Sequence, residues 1–246
     1  MSGVADLKVK IFADGADYEG IIKMSKNPLI KGFTTNPTLM RKAGVSDYEA
    51  FARKVLAAIP DRPVSFEVFA DDFVSMAEQA RTIAAWGPNV NVKIPVTNTK
   101  GQSAAELIRA LSSEGVILNV TAIFTLEQVR AVFDALHPAA AAIISVFAGR
   151  IADTGIDPIP HMLAAKQILG ARPKAQLLWA SSRELLNIFH AEEGGCDIVT
   201  VPNDLLSKLD LVGKDLAEYS RETVQSFYRD AAAAAYQIKT ARLAAE

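Results

Sequence analysis

The sequence predicts an α/β fold, a parallel (β/α)8 (TIM) barrel followed by an extra C-terminal helical segment, and three observations carry that prediction. Eight short apolar runs alternate with segments whose apolar residues fall at helical spacing, such as Met76, Ala80, Ile83 and Ala84, or Ala105, Ile108 and Leu111. No change of composition and no low-complexity linker interrupts that alternation. The chain has 246 residues, 50% of them hydrophobic, and a single barrel of this kind takes ~250 residues. A six-stranded open sheet is the alternative if two of the weaker runs are not strands.

In chain order the runs are Lys8–Asp14, Ile30–Thr34, Val64–Phe69, Asn89–Ile94, Val116–Thr121, Ala142–Phe147, Gln176–Ser181 and Asp197–Val201. They are short and rich in branched aliphatic residues, as parallel strands covered on both faces are. The barrel spans about 8–212 within one domain, 1–246. From Asp215 to Ala244 the chain reads as one long or broken helix, at about 214–244, with Leu216, Tyr219, Phe227, Ala231 and Ile238 on roughly one stripe. This helix either packs on its own barrel as a lid or reaches a second subunit as an arm.

Charge and composition narrow the function. A net charge of −2 and a pI near 6.0 argue against a nucleic-acid surface or a polybasic membrane patch, so any phosphate must be held by a few placed residues. One cysteine, Cys196, leaves no intramolecular disulfide and no cysteine metal cluster. Neither a secretory leader nor an apolar run of membrane-spanning length is visible, and the expectation is a cytoplasmic protein. His137, His161 and His190 show no mutual metal spacing and read as surface or packing residues. Cys196, after Gly194 and Gly195, reads as the start of a buried strand rather than a nucleophile. Dinucleotide and phosphate-loop glycine fingerprints are missing.

The stretch Asn89-Val-Asn-Val-Lys93-Ile-Pro-Val stands apart. Lysine is strongly hydrated, so a lysine inside a barrel is held neutral or paired, and a neutral amine condenses with a ketone to a Schiff base. An outward Lys93 snorkelling past a helix is the competing reading. In α/β barrels the active site lies at the carboxyl ends of the strands. Those ends carry Asp14, then Thr34-Thr35-Asn36, Glu67, Lys93, Thr121, Phe147 with Arg150, and Ser181 with Arg183. Taken singly, Asp14 and Asn36 also suit helix caps, and Thr121 suits packing or capping. Two carboxylates, a strand lysine and two arginines at one mouth form a pattern that capping alone does not explain.

Several of these stretches together resemble the transaldolases: Phe12-Ala-Asp14-Gly, Thr34-Thr35-Asn36-Pro37, Phe66-Glu67-Val, Val92-Lys93-Ile-Pro95, Asn119-Val-Thr121, Phe147-Ala-Gly-Arg150 and Ala180-Ser181-Ser182-Arg183. The likeness runs from about Val9 to Leu205, and the group includes the fructose-6-phosphate aldolases. The resemblance implies that Lys93 forms the Schiff base with the C2 carbonyl of a ketose phosphate. Asp14 would take the C4 hydroxyl proton, and Glu67 would move protons through a water also held by Thr121. Thr34, Asn36 and Ser145 would hold the hydroxyls of the three-carbon unit, near Phe147. Arg150, Ser181 and Arg183 would take the phosphate. It further implies no metal and no organic cofactor, sugar-phosphate substrates, a homo-oligomer and a place in the pentose phosphate pathway.

Two departures stand out: Trp179 occupies a position where relatives have a small residue, and Ser182 replaces a common phenylalanine. Trp179 is expected to narrow or reshape the phosphate end. Transfer of a dihydroxyacetone unit between sugar phosphates is the leading activity. Release of free dihydroxyacetone, as in the aldolases, is the alternative, and a sulfonated sugar is a further one. Glu67 and Phe147 side with transfer, because the aldolases tend to carry glutamine and tyrosine there. A non-catalytic sugar-phosphate-binding barrel would need none of Lys93, Asp14 and Glu67.

Overall fold

Eight parallel strands form where the apolar runs fall, and each hydrogen-bonds the next in sequence order until β8 returns to β1 and closes the barrel. The computed structural model describes residues 3–170, 172 and 174–238. The strands are β1 Lys10–Asp14, β2 Ile30–Thr34, β3 Val64–Glu67, β4 Val90–Pro95, β5 Leu118–Ile123, β6 Ala142–Val146, β7 Ala175–Trp179 and β8 Ile198–Pro202. Between them run α1 Tyr18–Ser25, α2 Pro37–Lys42, α3 Tyr48–Ala58, α4 Phe73–Ala84, α5 Ala105–Ser113, α6 Leu126–Ala135, α7 Ala148–Ala152, α8 Pro158–Leu169 and α9 Asn187–Glu193, with α10 Asn203–Leu206 after β8. The open six-stranded sheet is thereby excluded.

Side-chain caps start many of these helices. Asp17, Asn36, Asp47, Asp72, Thr125 and Asp157 each accept a backbone N–H in the first turn of the helix they precede, an arrangement worth about 1 kcal/mol apiece. Asp14 is not among them; Asp17 caps α1 in its place.

Two apolar layers result. The larger fills the space between strands and helices and includes Phe33, Phe66, Met76, Ile108 and Trp179. The smaller joins Phe12 of β1, Ile143 of β6, Leu178 of β7 and Ile198 of β8. Strands that are not neighbours meet only across the barrel interior, so this cluster is the barrel's floor. Gly32 makes it fit: a Cβ there would lie 2.5 Å from the Phe12 ring, so only glycine lets that ring cross from β1 over β2.

The strand ends differ from the sequence reading in one informative place. β5 begins two residues later than expected and runs on to Ile123. Its register against β6 shifts between Val120 and Ile123, where Ala122 takes a φ of 60°. A bulge of this sort bends a strand's end and re-aims its side chains, often at a functional mouth.

Among the described residues, those from 3 to 209 form one compact unit and 210–238 belong to another. In the second, α11 runs Leu216–Ala233, with Asp215 accepting the Glu218 N–H at 2.9 Å and Lys214 paired with Glu222. The expected helix ends earlier than the sequence suggests, at Ala233, and its continuation over 239–244 lies outside the described residues.

Candidate active site

β3 and β4 pair with Glu67 opposite Lys93, so both side chains leave the barrel wall at the same height and in the same direction. The Lys93 ammonium is 2.9 Å from Glu67 Oε2 and donates to the Thr35 carbonyl at 2.8 Å. Lys93 is 7% exposed. It is therefore the inward, paired lysine and not an outward one. Desolvating two ions costs several kcal/mol, and replacing such a pair with apolar residues often leaves a protein as stable or more so. Stability is a poor reason for this pair to exist.

Glu67 is fixed through its peptide as well as its carboxylate. Tyr48 Oη of α3 accepts the Glu67 N–H at 2.7 Å and donates to the Glu67 carbonyl at 3.0 Å. Burial pushes the Tyr48 phenol above its usual range, so it keeps its proton for that bond. Phe66, Phe69 and Trp86 surround the Tyr48 ring.

Asp14 ends β1 opposite Thr34, and Thr34 Oγ1 donates to Asp14 Oδ1 at 2.7 Å. Burial raises the Asp14 carboxyl above its usual value; the Lys93 charge and the Thr34 hydrogen bond pull the other way, and the Glu67 charge adds to the rise. A carboxylate whose charge is disfavoured binds a proton more readily. Farther round, Ser145 Oγ donates to Asn119 Oδ1 at 2.6 Å, and Asn119 Nδ2 donates to Ser65 Oγ at 3.2 Å. Asn36 spends its Oδ1 on the Leu39 N–H at 3.0 Å, which is the capping role considered for it.

The opposite wall is cationic and aromatic. Phe147 precedes α7, with the Arg150 guanidinium 5.1 Å from its ring centroid and the Phe124 ring 5.7 Å away. Arg183 Nε lies 3.1 Å from both carboxylate oxygens of Asp153. Ser181 lines the same cavity with a φ of 63°, uncommon for a residue with a side chain. The strain is held by packing: the Gly149 N–H donates to the Ala180 carbonyl at 3.1 Å, directly under the Ser181 peptide.

All eleven residues singled out from the sequence, Asp14, Thr34, Asn36, Glu67, Lys93, Thr121, Ser145, Phe147, Arg150, Ser181 and Arg183, line one cavity of about 410 Å3 at the carboxyl ends of the strands. Asn119 and Thr200 line it too and were not singled out. A buried asparagine and a strand threonine give no signal in a sequence beyond small polar residues in apolar runs. Trp179 does not line it. Strand alternation turns Leu178 and Ala180 inward and Trp179 outward, where it is fully buried in the helix-facing layer, its ring 6.3 Å from that of His190. The expectation that Trp179 shapes the phosphate end is corrected on that ground, while Ser182 does face the cavity.

Elsewhere, Cys196 is buried and its thiol is pushed up to about 12, chiefly by desolvation, which suits packing. Among the described residues no group of histidine, cysteine and carboxylates is arranged to hold a metal ion. No described helix is long and apolar enough to cross a membrane.

A parallel barrel with a buried lysine–carboxylate pair and a second carboxylate at one mouth is the architecture of a (β/α)8 enzyme. Comparison with known proteins narrows that class. Residues 11–245 match the family model described as Transaldolase/Fructose-6-phosphate aldolase, and the chain belongs to that family. A probable transaldolase of Dehalococcoides mccartyi is 39% identical over 205 residues, covering 82% of this chain and 90% of the relative. Probable transaldolase 2 of Listeria monocytogenes is 37% identical over 202 residues, 82% of this chain and 88% of its own length. Among solved structures, 3-hexulose-6-phosphate synthase from Salmonella typhimurium superposes with a TM-score of 0.55 at 16% identity, over 90% of this chain and 99% of that one. That likeness is one of fold.

Proposed function

We propose that this transaldolase-family enzyme transfers a dihydroxyacetone unit from a ketose phosphate to an aldose phosphate through a Schiff base on Lys93. The observation that carries the reading is the Lys93–Glu67 pair at 2.9 Å in the same cavity as Asp14. Glu67 takes a proton from the ammonium, and the freed amine attacks the C2 carbonyl of the donor. Glu67 then returns a proton to the carbinolamine hydroxyl, through a water shared with Thr121, and hydroxide leaves as water. In the iminium, the C3–C4 bond electrons flow toward nitrogen as Asp14 removes the C4 hydroxyl proton. The first aldose leaves, and a three-carbon enamine stays on Lys93. An acceptor aldehyde is attacked by that enamine, and Asp14 gives its proton to the new alkoxide. Hydrolysis of the iminium frees the product and the lysine.

The other side chains suit binding. Thr34, Asn36 and Ser145 reach hydroxyls of the three-carbon unit, and Arg150, Ser181 and Arg183 meet the phosphate, arginine being shaped for forked binding of its oxygens. Transfer is favoured over release because Phe147 brings a phenyl ring and no hydroxyl to the enamine's side of the cavity. A hydroxyl there could orient water or pass a proton to the enamine. Sedoheptulose 7-phosphate and fructose 6-phosphate are the donors to try, placing the enzyme in the pentose phosphate pathway.

Borohydride added with fructose 6-phosphate is expected to fix a three-carbon adduct on the peptide holding Val92-Lys93-Ile94, and Lys93→Met is expected to take no label and lose nearly all turnover. Label on another lysine would sink the assignment. A coupled assay with and without erythrose 4-phosphate separates the two activities: product that forms only with the acceptor is transfer. Dihydroxyacetone released as fast without it makes the enzyme an aldolase.

A further inference from the structure

Behind Asp14 lies a relay of two threonine hydroxyls, Thr34 and Thr200, and the reaction above gives Thr200 no part. β1 sits between β2 and β8, so Asp14 is flanked on both sides. Thr34 Oγ1 of β2 donates to Asp14 Oδ1 at 2.7 Å and lies 2.5 Å from Thr200 Oγ1 of β8. A hydroxyl has one hydrogen and two lone pairs. With the Thr34 hydrogen directed at the carboxylate, the contact between the two hydroxyls has Thr200 donating and Thr34 accepting. Thr200 is buried and borders the cavity.

Thr200 is itself anchored. Ser182 Oγ, from the segment after β7, donates to the Thr200 carbonyl at 2.8 Å. The β7–β8 ladder pairs only Leu178 with Ile198 and Trp179 with Val199. Ser182 therefore extends that seam to the height of Thr200, a task a phenylalanine at the position could not perform.

We propose that Thr200 is a positioning residue for Asp14: it donates to Thr34, which directs and strengthens the hydrogen bond that holds the Asp14 carboxylate in its ionised form. Hydrogen bonds in series polarise one another, so a donor one step removed still acts on the carboxylate. The charged groups acting on Asp14 from across the barrel mouth are Lys93 of β4 and Glu67 of β3; its neighbours β2 and β8 present it with the two threonine hydroxyls among the described residues. The relay's catalytic value rests on the reading of Asp14 as the base, whereas its effect on the carboxyl group does not.

The test uses the full-length protein with Thr200→Val, which keeps the shape and removes the donor, Thr200→Ala as a second removal, and Thr200→Ser, which keeps the donor. NMR titration of the Asp14 carboxyl carbon, assigned by its loss in Asp14→Asn, reads the midpoint without substrate. Val and Ala are expected to raise it by roughly half a unit, and Ser to leave it where it is. The acid limb of kcat/KM is expected to move with the midpoint, with kcat down roughly three- to tenfold and KM for fructose 6-phosphate within about twofold. An unmoved midpoint in both removal variants overturns the relay, and so does a shift in Thr200→Ser as large as in Thr200→Val, which would be a packing effect. A moved midpoint in a chain that forms no borohydride adduct on Lys93 upholds the relay and sinks the Schiff-base activity.

Discussion

Gly149→Ala is the substitution through which fold and phosphate binding can be tested together. A Cβ built at this position lies 1.6 Å from the Ser181 carbonyl oxygen and 2.6 Å from its carbon. An ordinary carbon–oxygen contact is about 3.3 Å, so one of the two backbones must yield by about 1.7 Å. Neither does so freely. Gly149 is tied to the Ala180 carbonyl at 3.1 Å, and Ser181 is already at a φ of 63°. Overpacking of this kind costs about 3 kcal/mol, which lowers Tm by roughly 6 to 12 °C for a chain of this size. The displacement also reaches Ser181 and, two residues on, Arg183. A misplacement of ~1 Å at a reacting or binding group costs on the order of a hundredfold in rate. Thermal unfolding followed by circular dichroism measures the first effect, and kcat/KM with erythrose 4-phosphate against unphosphorylated glyceraldehyde the second. The loss should be larger with the phosphorylated acceptor. A variant with wild-type Tm and wild-type use of erythrose 4-phosphate would show that the Ser181 peptide is not pinned, and the argument would fall.

Two further perturbations test the electrostatics. Arg183→Ala is expected to lower kcat/KM for phosphorylated acceptors by about 1 to 2 kcal/mol and to spare unphosphorylated ones, because its guanidinium is half-exposed and already paired with Asp153; an equal loss with both acceptors would make it a structural residue. Asp14→Asn is expected to abolish turnover yet raise Tm at neutral pH. Burial lifts the Asp14 carboxyl above 3.8 in the folded chain, so the folded state gains from its proton at low pH and loses that gain as pH rises through the raised value. Thermal melts across pH should show the variant's advantage shrinking on acidification; an advantage that grows toward low pH would reverse the sign and refute the account.

The fold was legible because its signals are redundant: eight apolar runs each report the same alternation, and misplacing one by two residues, as at β5, leaves the barrel unchanged. The mouth was legible for a different reason. Lys93, Glu67 and the two arginines are residue types that apolar strand ends do not ordinarily carry, so each announces itself. Asn119 and Thr200 do not, since a small polar residue inside a strand reads equally as packing, and only the register of three strands brings Thr200 to Thr34 and Asp14. The positive φ at Ala122 and Ser181 has no signature in residue type at all. Trp179 was misread because one residue of strand phase decides which side of the wall it faces.

The apolar plug of Phe12, Ile143, Leu178 and Ile198 has a kinetic consequence. It fills the barrel interior below the cavity, so the substrates meet at the mouth formed by the carboxyl ends of the strands. Under the proposed transfer, the aldose released from the donor and the aldose that accepts the three-carbon fragment occupy that mouth in turn, because the fragment stays covalently on Lys93 between them. Turnover is then expected to follow a ping-pong sequence, with parallel lines in double-reciprocal plots and each aldose competing against the other for the loaded enzyme.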